Sequence, residues 1–442
     1  MYAAAISAAR LAAQLAPAGD GKVVRSLRAR RNIVARLRER AHVIRDPQRP
    51  LLWMHAPSVG EGLQARPVLH AWRAAHPDWQ IAYTFFSPSA EHFAQTVGAD
   101  IVEYLPFDSA SDADAAIDAI DPTALCFAKL DVWPVLVERA HRRAVALGMI
   151  SATLAASSSR RGWWSRQLLH DAYATLGAVG VVDDSHRTRL LALGVAPSAL
   201  CVTGDTRFDQ VAARAATIDR TSPMLIALAS SRVTAVAGST WPADHAVIFP
   251  AWKQLLADAT SHSRPRLIVA PHEPSASHLA EVESWAASAM LSLRRLSAME
   301  ADASSHTTVD VDIILVDRVG VLGDLYALAN VAYVGGGFHR AGLHSMIEPA
   351  AFGIPVVCGP SYAMSREAAL LIAAGGARAV IDCDALFVQL SRLMCDTDAR
   401  AREGARARSV VDAELGATAR SVAMLERLVG ATSSGPRVES SW

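Results

Sequence analysis

The sequence predicts an α/β protein made of two doubly wound parallel-sheet domains. Three observations carry this. The chain has 442 residues, more than a single hydrophobic core usually serves. From residue 51 onward, short continuously apolar runs alternate with helical stretches, as βαβ units do when helices cover both faces of a sheet. The alternation breaks once, over residues 210–225, which carry little strand pattern and read as a linker.

Composition narrows the class. Hydrophobic residues are 51% and charged residues 19%, which excludes a largely disordered chain. Lys+Arg and Asp+Glu balance at 43 each, so no global charge attracts a nucleic acid, and no nucleic-acid partner is expected. The 5 cysteines include no CxxC pair and are odd in number. They read as reduced core residues rather than zinc ligands or a disulfide framework, and no metal is expected.

The elements follow in order. Residues 1–45 form a basic N-terminal segment. Residues 1–17 are Ala-rich and interrupted by Arg10, shorter and less apolar than the run of about 20 residues that spans a bilayer. They also lack the basic start of a signal peptide. Residues 21–45 hold nine Lys/Arg and one acid, Glu39. This is a solvated basic helix or one lying on an anionic membrane surface through Leu27, Ile33, Val34 and Leu37. The first domain, 46–212, takes its strands from LLWMHA, IAYTFF, IVEYLP, ALCFAKL, LGMISATL, AVGVVDD and ALCVTGD. A helix after IAYTFF is expected to be capped by Ser87 or Ser89. The second domain, 226–430, takes its strands from TAVAGST, RLIVAPHEP, DIILVDRVG, NVAYVGGGFH and IPVVCGPSY. Residues 431–442 read as a disordered tail.

Two stretches carry chemistry. PSVGEG, 57–62, reads as a glycine loop between strand and helix, yet it places Glu61 where a helix N-terminus favours an anionic ligand. In the second domain, VGGGFHRAGLHSMIEPAAFGIPVVCGP spans 334–360. Its glycines permit close backbone approach and offer amide donors to an anion. Ser345 is placed to cap the next helix. Glu348, one turn in, is placed to accept from a ribose diol or, more simply, to stabilise the helix start. Two such domains facing across a cleft are typical of GT-B glycosyltransferases.

These motifs together resemble the Kdo transferases, which move 3-deoxy-manno-octulosonic acid from CMP-Kdo to a lipid A precursor. PSVGEG resembles the family's S-V-G-E loop, and TFFSPSAE its T-x-T-x-T-G-x-E segment. DVWP, 131–134, resembles the end of its E-x-E-L-W-P motif, and TGDTRFD, 203–209, its T-G-N-x-K-F-D. GST, 238–240, resembles the loop opening the second domain. GLHSMIEPAAFGIPVVCGP resembles its G-H-N-x-L-E-P-A…G-x-P-V…G-P block.

The resemblance implies a GT-B fold and an inverting transfer with no metal or other cofactor beyond CMP-Kdo as donor substrate. It implies work at the cytoplasmic face of the bacterial inner membrane, with Glu61 as general base. Ser58, Gly60, Ser87, Lys129 and Asp131 fall on the acceptor side. Arg207, Ser239, Thr240, His272, Gly336, Gly337, His344, Ser345 and Glu348 fall on the donor side. The chain departs from the family at several points. Lys129 stands for a carboxylate, Asp131 for a longer one, and Ser151-Ala-Thr-Leu-Ala155 for N-A-R-L-S. Ser345 replaces Asn, and Pro271 replaces the Arg before His272. It therefore reads as a divergent member. A GT-B enzyme using a UDP-sugar, or a catalytically lapsed relative that binds lipid or a partner, stays open as an alternative.

Overall fold

A computed structural model describes residues 2–16, 21–155, 158, 160, 162–258, 264–303, 310–340 and 342–433. The chain divides into two compact units, Met1–Asp209 with Leu415–Trp442, and Gln210–Glu414.

The first unit is built on β1 (Leu51–His55), β2 (Gln80–Phe85), β3 (Ile101–Tyr104), β4 (Ala124–Ala128), β5 (Ala146–Ala152), β6 (Ala178–Val181) and β7 (Leu200–Val202). Their order is β3-β2-β1-β4-β5-β6-β7, with every pairing parallel. Strands β1, β2, β4 and β5 are buried along their whole length, because helices cover both faces and leave no polar side to alternate. Strand order reverses at β1, which pairs β2 on one side and β4 on the other. That reversal is where ligands bind in such sheets.

The second unit holds β8 (Thr234–Thr240), β9 (Arg266–Pro271), β10 (Leu293–Arg295), β11 (Ile313–Leu315), β12 (Val331–Val334), β13 (Val356–Cys358) and β14 (Ala377–Ala379). The order is β10-β11-β9-β8-β12-β13-β14, again parallel throughout. Its reversal point lies between β8 and β12. The fold is therefore α/β with two Rossmann-like parallel sheets. Strands β10 and β14 have no counterpart among the expected strands. Each is three residues long and carries arginine, which hides it from an apolar-run criterion.

Several expectations are corrected. Residues 210–225 are mostly helical, in Thr206–Ala216 and Pro223–Ala227. The second domain does not run to residue 430, because the helix Ala417–Ser433 belongs to the first unit. Its Val422, Met424, Leu425 and Leu428 join a core with Leu52, Met54 and Cys126. Asp209 fixes its start by accepting from the amides of Gly416 and Thr418, both at 2.6 Å. The expected tail at 431–442 is helical to Ser433, and the rest lies outside the described residues. Neither Ser87 nor Ser89 caps a helix. Their hydroxyls bond each other at 2.8 Å beside a short 3₁₀ turn, Pro88–Ala90. Cys395 is exposed rather than core.

The N-terminal segment also differs. It forms helices Tyr2–Leu15, Lys22–Ala29 and Ile33–Ile44. Ile33 and Leu37 lie in the core of the first unit, so they are not available to a membrane. Part of the basic charge is spent internally. Arg30 is buried, donates to the Phe86 carbonyl at 2.5 Å and covers the Phe86 ring at 3.7 Å. Arg36 and Arg40 pair with the buried Glu103.

Candidate active site and donor loops

The stretch that reads as a glycine loop is the first turn of a helix. The helix Val59–Ala75 starts directly after Ser58, so Glu61 sits in its opening turn, at the carboxyl end of β1 and at the reversal point. The flanking glycines do not open the site. A Cβ on Gly60 would make only an ordinary contact, 3.8 Å from the Ser58 hydroxyl oxygen, whereas a Cβ on Gly62 would lie 2.3 Å from the Phe93 ring and 2.8 Å from the Tyr83 hydroxyl. Gly62 therefore serves helix packing.

Glu61 is held on both carboxylate oxygens. The Ser58 hydroxyl donates to Oε2, and Lys129 Nζ donates to Oε1 at 3.1 Å. The Glu61 side chain is 16% exposed. Burial pushes its carboxyl up, but the Ser58 hydroxyl and the Lys129 ammonium outweigh it and hold it below the ordinary carboxylate value. Lys129 reaches this position from a left-handed backbone, φ 71°, just after β4. A non-glycine residue in that region carries strain, so the surrounding structure fixes the conformation.

The other acceptor-side residues are near in the chain but differently engaged. Asp131 pairs with Arg160, a partner the sequence pattern did not signal. The amides of Phe86 and Ser87 donate to the Pro57 carbonyl at 3.0 and 2.7 Å, bracing the segment that enters Ser58. Trp133 of DVWP has a structural role. Its Nε1 donates to His55 Nε2 at 3.0 Å, and its ring stacks on Phe86. Because Nε2 accepts, His55 carries its proton on Nδ1 and donates to the Thr84 hydroxyl oxygen, 3.0 Å away. Burial lowers the His55 pKa to about 3, so this ring stays neutral.

On the donor side, Arg207 lies in the first unit, and its guanidinium forks onto the buried carboxylate of Asp205. The remaining residues gather at the carboxyl ends of β8, β9 and β12. Asp244, buried in the helix Pro242–Asp258, ties these ends together. Its Oδ2 accepts from the amides of Gly336 and Trp241, both at 2.9 Å, and its Oδ1 accepts from the Tyr333 hydroxyl at 2.9 Å. The amides of Gly335 and Gly336 are thus committed to Gly238 and Asp244 and are not free for an anion. Gly336 needs to be glycine, since its φ is 91° and a Cβ would lie 2.2 Å from the Gly342 carbonyl. Ser239 is itself left-handed, φ 55°, and the Thr240 hydroxyl meets His245 Nε2 at 2.9 Å.

Around this loop stands a stack of rings. Trp241 lies flat on His339 at 4.3 Å and 8°, and its Nε1 donates to His344 Nε2 at 3.1 Å. His272 stacks on His344 at 4.3 Å. Burial, helped by His272 and His339 and opposed by Asp244, lowers the His344 pKa to about 4. Trp241, Asp244 and His339 were not singled out from the sequence. Trp241 follows directly after GST, Asp244 lies within the next turn, and His339 comes after the glycines and Phe338, so position alone was the available signal.

Ser345 is exposed and accepts from the Ile347 amide at 3.4 Å, at the start of the one-turn helix Ile347–Ala351. Glu348 behaves unlike a helix-stabilising carboxylate. Burial pushes its carboxyl up, with Arg214 opposing and Asp324 adding. Among the described residues it makes no hydrogen bond or ion pair. A carboxylate left in that condition is suited to a diol donor. Among the described residues, no group of His, Cys, Asp and Glu is arranged to hold a metal ion.

Comparison with known proteins bears on the fold and on the relatives of the chain. The family described as 3-Deoxy-D-manno-octulosonic-acid transferase (kdotransferase) matches residues 35–210. A 3-deoxy-D-manno-octulosonic acid transferase of Bordetella pertussis is 29% identical over 391 residues, covering 86% of this chain and 87% of that protein. One from Chlamydophila psittaci is 27% identical over 338 residues, 75% of each. Among solved structures, UDP-GlcNAc 2-epimerase of Neisseria meningitidis bound to UDP-GlcNAc aligns with a TM-score of 0.58 at 12% identity. It covers 86% of this chain and 100% of that one. Acinetobacter baumannii MurG aligns at 0.52 and 12%, covering 86% and 99%. At such identity the structural likeness speaks for the fold alone. The chain is a GT-B glycosyltransferase related to the 3-deoxy-D-manno-octulosonic acid transferase family.

Proposed function

We propose that this protein transfers Kdo or a related sugar, with inversion, from a CMP-linked donor to a lipid A precursor. The activity named for its relatives supports the reading. The observation that carries it is Glu61, a largely buried, ionised carboxylate at the reversal point of the first sheet. In an inverting transfer one carboxylate removes the proton of the acceptor hydroxyl while that oxygen attacks the sugar carbon opposite the departing CMP. Glu61 is the group in this chain fitted to that task. Ser58 and Lys129 aim its two oxygens and keep it deprotonated. When the proton arrives, Lys129 loses its anionic partner, which favours release of the proton after transfer.

In this reading the nucleotide lies at the ends of β8, β9 and β12. Glu348 accepts from the ribose diol, Gly337, Ser239 and Thr240 face the phosphate, and Trp241 with the histidine rings bounds the site. The acceptor is met at the cytoplasmic face of the inner membrane, on anionic lipid. Leu11, Leu15 and Val23 are exposed on the basic N-terminal helices and are the apolar contacts for it. No described helix is long and apolar enough to cross a membrane.

The test is transfer from radiolabelled CMP-Kdo to a lipid A precursor by the purified full chain, with CMP and UDP as competitors. The expected result is transfer that CMP inhibits more strongly than UDP. Absence of transfer, with thermal stabilisation by a UDP-sugar but not by CMP, contradicts the assignment and leaves the fold untouched.

A further inference from the structure

A hydroxyl, an imidazole and a carboxylate stand in line behind the loop that opens the second unit. The Thr240 hydroxyl meets His245 Nε2 at 2.9 Å, and His245 Nδ1 meets Glu281 Oε1 at 3.0 Å. Thr240 closes β8, His245 lies in the opening turn of the helix Pro242–Asp258, and Glu281 comes from the helix Ala276–Ser288. Thr240 and His245 are each 1% exposed, while the Glu281 side chain is 37% exposed. The Phe249 ring stacks on the imidazole at 4.7 Å and on Trp285 at 3.9 Å, which fixes the plane of the imidazole. The same order of groups activates nucleophiles. Here the hydroxyl is buried, so its oxygen is closed to attack on a substrate.

The line fixes protons instead. A carboxylate only accepts, so Nδ1 carries the proton of the neutral ring. Nε2 is then a bare acceptor, and the Thr240 hydroxyl donates to it. Burial lowers the His245 pKa, with Glu281 and Asp244 opposing and His278, on the helix of Glu281, adding. The helix Cys383–Cys395, packed on the helix of His245, sends apolar Leu386, Leu390 and Leu393 into the core that holds Phe249. The opening turn of a helix also disfavours a cation and favours an anion. Without an anion at the loop, His245 is therefore neutral. A phosphate there reverses the balance, because an opposite charge nearby favours the imidazolium. The need for a cation is real, since the carboxylates of Asp244 and Glu348 stand at the same strand ends and Pro271, closing β9, brings no charge.

We propose that His245 is a positioning residue that takes up one proton from solvent when a phosphate binds at the Ser239–Thr240 loop. The ring then donates from Nδ1 to Glu281 and from Nε2 to Thr240 Oγ1, and the hydroxyl turns its own proton off the ring. Thr240 thus changes from donor to acceptor, and the loop gains a positive charge behind the helix start. Glu281 is the counterion. The inference rests on the reading that the donor's phosphate lies at this loop, and it adds the charge that holds the phosphate there.

The full chain is titrated with CMP near the ordinary imidazole pKa, about pH 6.5, in buffers of different ionisation enthalpy, so that calorimetry counts the protons exchanged. His245→Gln keeps an acceptor for the Thr240 hydroxyl but removes the titrating ring. Glu281→Gln keeps a partner for Nδ1 but removes the charge. The second ionisation of CMP, at about pH 6, contributes equally to all three proteins, so differences between them read the ring. Wild type is expected to take up about half a proton or more per CMP beyond His245→Gln, with Glu281→Gln between them. The ratio of wild-type to His245→Gln affinity is expected to fall about five-fold or more from about pH 6 to about pH 8. Ring nitrogen NMR gives a second reading. The signal lost in His245→Gln is that of a neutral ring without CMP and of an imidazolium with it. Equal proton uptake in wild type and His245→Gln, or a His245 ring that stays neutral with CMP bound, overturns the inference and leaves nucleotide binding standing. CMP that does not bind at all overturns the nucleotide reading and this inference with it. Matching thermal melts separate a changed proton count from a changed fold. Should the buried substitution unfold the unit, Glu281→Gln decides alone, and uptake equal to wild type overturns the inference.

Discussion

The two units present the same geometry with opposite chemistry. In each, a parallel sheet reverses its strand order and gathers side chains at the carboxyl ends of the strands beside the reversal. In the first unit that place holds a charged pair, Glu61 with Lys129. In the second it holds a stack of Trp241, His272, His339 and His344, a committed carboxylate in Asp244 and, among the described residues, an unpartnered one in Glu348. The fold supplies the place, and the few residues after each strand decide whether it carries a fixed ion pair or a stack of rings beside a buried carboxylate.

The comparison breaks most visibly at Asp244. Asp244→Ala orphans two amides and the Tyr333 hydroxyl, and is expected to destabilise the second unit by about 3 kcal/mol or more, read by denaturant unfolding. A variant of unchanged midpoint would mean that Asp244 does not tie the strand ends.

Acid titration probes the neutral histidines. Burial lowers the pKa of His55 to about 3 and that of His344 to about 4, from the ordinary imidazole value of 6.5. Between those values and 6.5 the unfolded chain binds more protons than the folded one. Stability is therefore full above pH 6.5 and falls with acidification, by up to about 1.4 kcal/mol per pH unit for each ring. Chemical denaturation from pH 7 to pH 5 measures the slope, and a flat profile contradicts burial of both rings as neutral species.

Glu348→Gln sharpens the ligand side. It exchanges a charged acceptor for a neutral one and is expected to weaken CMP about ten-fold. Removing burial strain from Glu348 at the same time leaves fold stability unchanged or raised.

Lys129→Met has the smallest effect at neutral pH. Without the ammonium, burial of Glu61 is less opposed and its pKa rises. The acid limb of the rate profile then moves to higher pH, while the rate near pH 8 changes little. The stability that ionised Glu61 contributes is present above the ordinary carboxylate value. It is lost as pH falls through its depressed folded value, and in the variant that loss begins at higher pH.

Much of this was legible from residues. Continuous apolar runs mark twelve of the fourteen strands among the described residues, because buried parallel strands have no polar face to disguise them. The short strands with Arg294, Arg295 and Arg378 did not show. The helix Ala417–Ser433 was assigned to the wrong unit, since an amphipathic helix does not state which core it covers. Ile33 and Leu37 fit a membrane face as well as a core, and only tertiary packing distinguishes the two. At the sites, Glu61 and Glu348 stood out by position, but their states did not. The Lys129 contact spans 68 residues and depends on a left-handed turn. The stack on Trp241 joins side chains from three strand ends, a convergence no local pattern encodes.

The central claim is a division of labour, with proton transfer at Glu61 and nucleotide binding in the second unit. Single-turnover transfer from CMP-Kdo, measured beside CMP affinity in Glu61→Ala and Glu348→Gln, tests it directly. The account predicts that Glu61→Ala lowers turnover by about 10² to 10⁴ while CMP binds as in the wild type. It predicts that Glu348→Gln weakens CMP while turnover at saturating donor is largely kept. Normal turnover in Glu61→Ala, or equal loss of CMP binding in both variants, would contradict it.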